Sequence, residues 1–247
     1  MKTIFALLSA LGLFFAVPLV EAQAQDPALK TVKVRFRTFG WDSASSDLNY
    51  SQKNKDAKIE VFQDNRSVFY DYEGPAAISF YRIKAKPDGQ IEHVVVARAN
   101  LDGAGAWPLL IFAKNSPKSD DYTVLVLPDD LQGFPAGSFK FANFTNKTMT
   151  GSLGPESFRL EPRDIKLLTV RPSSNSTTLF AIVNIESGRK TIPVYTNNWA
   201  YQPMLRTLVF IMQSPETPSG VVARRIVEST EFPPEKPASG SPAAGGR

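Results

Sequence analysis

From Phe134 to Arg171 the chain reads FPAGSFKFANFTNKTMTGSLGPESFRLEPRDIKLLTVR, and this stretch limits the fold more than any other. Phe139 and Phe141 alternate with Lys140 and Ala142, Met149, Gly151 and Leu153 with Thr150 and Ser152, and Phe158 with Ser157 and Arg159. Ile165 and Leu167 then alternate about Lys166. A period of two places successive side chains on opposite faces, the pattern of a half-buried strand, whereas a helix would repeat every three to four residues. Gly154-Pro155 and Glu161-Pro162 interrupt the runs, because proline offers no ladder N–H and glycine accepts turn dihedrals. The stretch predicts four antiparallel strands joined by short turns.

The same alternation recurs on both sides. Val32, Val34 and Phe36 alternate with Lys33, Arg35 and Arg37, which predicts a strand with one wet, basic face. Asp42 to Asn54 reads as a polar loop, and Asn197 to Pro203 as irregular. Further strands are expected in HVVVARA, LLIFA, YTVLVL, RTLVFIM and around Val221 to Val227. Roughly a dozen strands at 8–15-residue spacing, with no helical period, predict an all-β antiparallel sandwich. No fixed repeat period stands out. The Pro/Asp/Gly cluster at Pro128 to Pro135 is the best boundary for two lobes, residues 31–128 and 134–228, and one larger sandwich remains open.

The ends read differently. Lys2, the apolar run Ile4 to Val20 and Ala22-Gln23-Ala24 have the layout of a secretory signal peptide spanning residues 1–24; an uncleaved anchor is the competing reading. Cleavage would leave no stable transmembrane anchor, and would place the protein in the periplasm or outside the cell. Residues 229–247 are rich in Pro, Gly, Ser and Ala and are expected to be a disordered tail, since they bury too little apolar area to offset their ordering entropy. The chain has no cysteine, which excludes disulfides, thiol catalysis and a lipid-anchored N-terminal cysteine. An exported chain without disulfides fits a bacterial envelope protein better than a eukaryotic secretory product. The formal charge of +4 is spread along the chain and is no nucleic-acid footprint.

VRFRTFGWD, YEGPAAISFYR, YTVLVLPDDLQGFPAGSFKFANFT, Leu160-Glu161-Pro162, TLVFIM and VVARRIVE together resemble a group of uncharacterised exported bacterial proteins over most of residues 32 to 228. The FANFTNKT and FRLEP pattern is also similar to immunoglobulin-like bacterial sandwich modules. The resemblance implies an immunoglobulin-like fold and carries no activity, cofactor or catalytic residue.

Chemistry is sparse. His93 is the single histidine, opening a β-branched run, and reads as a strand-edge or partly buried residue, since no nucleophile elbow accompanies it. Asp120-Asp121 and Asp129-Asp130 read as solvated turn formers; Asp71 and Glu73 are also near neighbours. A glycosidase would need two carboxyls converging across a cleft. N-x-[ST] triplets begin at Asn49, Asn65, Asn143, Asn146 and Asn175 and read as turn residues. Neither a metal site nor a cofactor is expected. Trp41, Tyr50, Tyr70, Tyr72, Trp107, Trp199 and Tyr201 lie in or beside expected loops. They either cap the sandwich core or serve as sugar-stacking rings. The leading expectation is a non-enzymatic structural or interaction module that meets a protein or a cell-envelope glycan. The alternative is a carbohydrate- or peptidoglycan-binding module using Trp41, Trp199, Tyr201, Asn197 and Asn198.

Overall fold

The computed structural model describes residues 30–174, 176–188 and 190–230; the expected signal peptide and nearly all of the expected tail lie outside them. Every regular element among the described residues is a strand. The first half holds β1 (Thr31–Gly40), β2 (Ser45–Gln52), β3 (Lys55–Val61), β4 (Tyr70–Pro75), β5 (Ala77–Ala85), β6 (Ile91–Asn100), β7 (Pro108–Lys114) and β8 (Tyr122–Pro128). The second holds β9 (Phe139–Asn143), β10 (Met149–Leu153), β11 (Glu156–Leu160), β12 (Ile165–Leu168), β13 (Thr178–Ser187), β14 (Lys190–Ala200), β15 (Leu205–Gln213) and β16 (Val221–Ser229).

Four four-stranded sheets result, ordered β4-β1-β7-β8, β3-β2-β5-β6, β12-β9-β15-β16 and β11-β10-β13-β14. No ladder among the described residues joins the two halves, so β1 to β8 form one pair of sheets and β9 to β16 another, each half a sandwich. The four segments of the Phe134–Arg171 stretch are β9 to β12. Asp42 to Asn54, expected as loop, contains β2, whose Leu48 and Tyr50 point into the first core. Asn197 and Trp199, expected in an irregular segment, lie on β14. Polar exposed residues hid both strands, because only one face of an outer sheet needs apolar side chains.

The second half repeats the first. In both, the first strand pairs in parallel with the seventh and antiparallel with the fourth. The correspondence extends to single hydrogen bonds. Gly40 N donates to Phe62 O and Trp41 N to Phe112 O, while Asn143 N donates to Asp164 O and Phe144 N to Ile211 O. Both outer sheets carry a register shift at the matching place, Phe80/Tyr81 and Val183/Asn184. With these pairings Arg37 matches Lys140, Phe39 matches Ala142 and Trp41 matches Phe144. Leu109↔Leu127 and Leu208↔Ile226 then match Asp129 with Glu228. The repeat is in topology and in the character of a few positions, and the sequence shows no period because most matched residues differ.

Packing explains the apolar runs. Phe36, Tyr50, Phe80, Leu110 and Phe112 fill the first sandwich, and Phe141, Met149, Leu160, Val183 and Trp199 the second. A third core lies between the lobes, where Phe39, Trp41, Leu109, Ile111, Leu127 and Phe134 meet Ala142, Leu208 and Phe210. The two inner sheets are therefore covered on both faces and the body is four layers deep. β9 is buried along its whole length, where alternation had predicted a half-buried strand. Its Lys140 faces the other lobe instead of water.

Gly151 is set by contact. Gly151 sits opposite Phe158, and a Cβ there would lie 2.1 Å from Ile182 O and 2.6 Å from the Phe158 ring. Gly151→Ala should therefore cost about 1–3 kcal/mol as overpacking, read as a lower urea midpoint at unchanged slope.

Candidate functional site

β1 carries its odd-numbered residues on the face turned away from the first core, and that row runs Lys33, Arg35, Arg37, Phe39, Trp41. Lys33 and Arg35 keep contact with water, but Arg37 is only 4% exposed, so the wet basic face expected of this strand ends where the second lobe begins. There Arg37 Nη2 donates to Asp129 Oδ2 at 2.7 Å and Arg37 Nη1 to Glu228 Oε1. Asp129, expected as a solvated turn former, is 2% exposed: leaving β8, it drops under the second lobe because Asp129 N is held by Trp107 O.

Four cations surround these two carboxylates. Arg66 Nη2 reaches Asp129 Oδ1 at 3.2 Å and its Nη1 lies 3.6 Å from Glu228 Oε2. Arg206 Nε donates to Glu228 Oε2 at 2.8 Å, and its Nη1 to the backbone oxygens of Asp129 and Phe134 at 2.8 and 3.2 Å. Lys140 Nζ donates to Pro128 O at 2.7 Å and sits 4.7 Å above the Phe134 ring, beside Arg206 at 4.8 Å. Arg66 Nε is buried without a hydrogen-bond partner.

The cluster lies on the pseudo-twofold relation between the lobes. Arg37 of the first lobe reaches Glu228 of the second, and its counterpart Lys140 of the second reaches the main chain at Pro128 beside Asp129 of the first. Reciprocal contacts of this kind define an isologous interface, here within one chain. Burial pushes the Glu228 carboxyl up, but the Arg37 hydrogen bond and the charges of Arg66, Arg37 and Arg206 outweigh it and hold the group at about 2. Burial pulls the Lys140 ammonium below its usual range, against the opposing pull of Asp129 and Asp130.

A pH dependence follows from Glu228. Its folded value lies below the ordinary 4.5, so its contribution is complete above that value and is lost as pH falls from about 5 towards 2. The loss should amount to about 3 kcal/mol. Unfolding free energies measured across this range should show the drop in the native chain and a shallower one in Glu228→Gln.

Outward from the cluster the β1 row borders an open cleft of about 480 Å³, lined by Lys33, Arg35, Lys53, Glu73 and Trp107. Phe69 is the septum between cleft and cluster: Arg35 and Arg37 lie 4.7 and 4.9 Å from its ring centroid, and the Trp107 ring packs against it, tilted, at 5.4 Å. Lys33 and Lys53 both approach the same Glu73 oxygen, at 4.0 and 3.8 Å, while Arg35 faces Asp71 at 3.3 Å. The outer edge of β4 is already taken up by side chains, Tyr50 OH donating to Asp71 O and Glu73 N donating to Gln52 Oε1.

The aromatic residues expected as a sugar platform do not converge. Trp41 is buried in the inter-lobe core against Phe210, with the Arg224 guanidinium over its ring at 4.5 Å. Trp199 is 0% exposed in the second core, stacked near Phe139 and Phe141, and its Nε1 donates to Tyr195 OH at 3.0 Å. A ring covered on both faces offers no surface for a sugar. Tyr201 packs half-buried beside that core, and Asn197 and Asn198 are exposed on β14. His93 sits on the edge strand β6, 3.3 Å from Asp56 and against the Tyr81 ring. Among the triplets, Asn143 is buried and its amide donates to Lys147 O and Glu161 O while its oxygen accepts from Thr145, so it pins the turn after β9.

Among the described residues no group of three or more His, Cys, Asp or Glu side chains has the geometry of a metal site. Fold and cluster define the class: an all-β protein of two sandwich lobes fused through their inner sheets. The chain matches no protein-family model, and no curated protein shows significant sequence similarity to it.

Proposed function

We propose that this is an exported, non-enzymatic β-sandwich protein acting as a structural or interaction module in the periplasm or at the cell surface, with a protein as its partner. The observation that carries the reading is how its reactive side chains are employed. Arg37, Arg66, Asp129, Arg206 and Glu228 bind one another across the lobe interface, fixing two sandwiches as one thick body. A rigid body with broad outer sheets suits presentation of surfaces to a partner. The immunoglobulin-like relationship and the kinship with exported bacterial proteins belong to the same proposal, supported by the two-sheet lobes. A protein partner is preferred to a glycan because Trp41 and Trp199 are occupied inside the cores.

Fractionation of expressing bacteria with mass analysis of the N-terminus tests export. The expected product begins at Gln25 outside the cytoplasm, and a cytoplasmic chain retaining Met1 would contradict it. Turnover of any glycan, ester or peptide by the purified protein, lost on replacing Asp71 and Glu73, would overturn the non-enzymatic reading.

A further inference from the structure

β16 runs antiparallel to β1 across the lobe interface: Arg224 contacts Trp41, and four residues later Glu228 contacts Arg37. The same offset sets Thr230 level with Arg35, at the basic margin of the cleft beside Trp107. Thr230 is held there, its N–H donating to Met204 O. The residues that follow are Glu231-Phe232-Pro233-Pro234-Glu235.

We propose that this cleft is a docking site for a proline-rich acidic segment, and that its occupant is the chain's own residues 231–235, bound in cis. Three features match. A Pro-Pro segment favours the polyproline II conformation, which packs its rings on aromatic side chains, and Trp107 offers a half-exposed ring. The cations Lys33, Arg35 and Lys53 face the carboxylates Asp71 and Glu73, with both lysines sharing one Glu73 oxygen, so the margin keeps a net positive charge that complements an acidic segment. The reach also fits, since four residues at about 3.1 Å each cover the roughly 13 Å of β1 between Arg37 and Lys33. The volume of about 480 Å³ accommodates such a segment. The inference is independent of export and of the partner's identity.

Acrylamide quenching of tryptophan fluorescence tests it, because Trp41 and Trp199 are buried and Trp107 supplies the accessible signal. The full chain is compared with the same chain ending at Thr230. Removing the tail should raise the quenching constant, and a synthetic peptide of residues 231–237 should restore it in the shortened chain while leaving the full chain unchanged. Reversing two rim charges in Lys33→Glu/Lys53→Glu should weaken peptide binding roughly tenfold without unfolding the protein, and added salt should weaken it likewise. Unchanged quenching after tail removal, or equal peptide affinity for the charge-reversed chain, would overturn the proposal. Tail-dependent dimerisation in sedimentation, placing the segment in a second copy's cleft, would contradict docking in cis.

Discussion

Replacing Asp129 by Ala is expected to lower the unfolding free energy by roughly 3–5 kcal/mol, because it strips the partner from buried cations. Arg37 and Arg66 each lose a carboxylate oxygen, at 2.7 and 3.2 Å, and Lys140 loses a nearby counter-charge. Arg37, Arg66 and Arg206 would then share Glu228. The penalty comes from charges left uncompensated in a dry site, and so exceeds what a surface ion pair contributes. Asp129→Asn keeps the volume but removes the charge and should also destabilise. Reversing the exposed Asp120, whose Arg82 contact is 3.8 Å and wet, should change stability by less than about 1 kcal/mol. Urea denaturation of the three variants at neutral pH makes the comparison.

Phe210→Ala is the second large effect, at about 3–5 kcal/mol from lost burial and the cavity left behind. Phe210 is fully buried between the lobes, with Phe39 at 5.4 Å and Trp41 and Phe144 at 6.3 Å between ring centroids. Its loss strikes the layer that joins the sandwiches and leaves each lobe's own core intact. The variant should therefore unfold with separated transitions, the lobes losing their mutual support. A core substitution inside one lobe, such as Phe141→Ala, should instead shift the whole transition downward.

The alternation in Phe134–Arg171 was enough to place β9 to β12, because period two and the Gly-Pro and Glu-Pro breaks are local properties. The inner sheets were harder to read. LLIF in β7 and LVFI in β15 are continuous apolar runs, which announce burial on two faces but not what covers the second face. Arg37 and Lys140 looked like solvent-facing members of alternating strands, and nothing in their neighbours says that another sheet lies over them. The one available signal was Asp129 and Glu228, acids at the C-terminal end of the last strand of each half, with a cation on the first strand of each half. Without the register, that match is invisible. Trp199 misled for a related reason: its neighbour Asn198 faces outward while the ring points inward, as period two requires.

Two sandwich lobes that form one four-layer body should unfold together, and a single equilibrium unfolding experiment reads this. Two variants each keep one reporter: Trp107 in the first lobe, with Trp41 and Trp199 replaced by Phe, and Trp199 in the second, with Trp41 and Trp107 replaced. Urea unfolding is followed in both by fluorescence and by far-ultraviolet circular dichroism. In each variant the fluorescence midpoint should coincide with that of the whole-chain dichroism signal. Dichroism resolving into two steps in both variants, with Trp107 and Trp199 each reporting a different step, would contradict it.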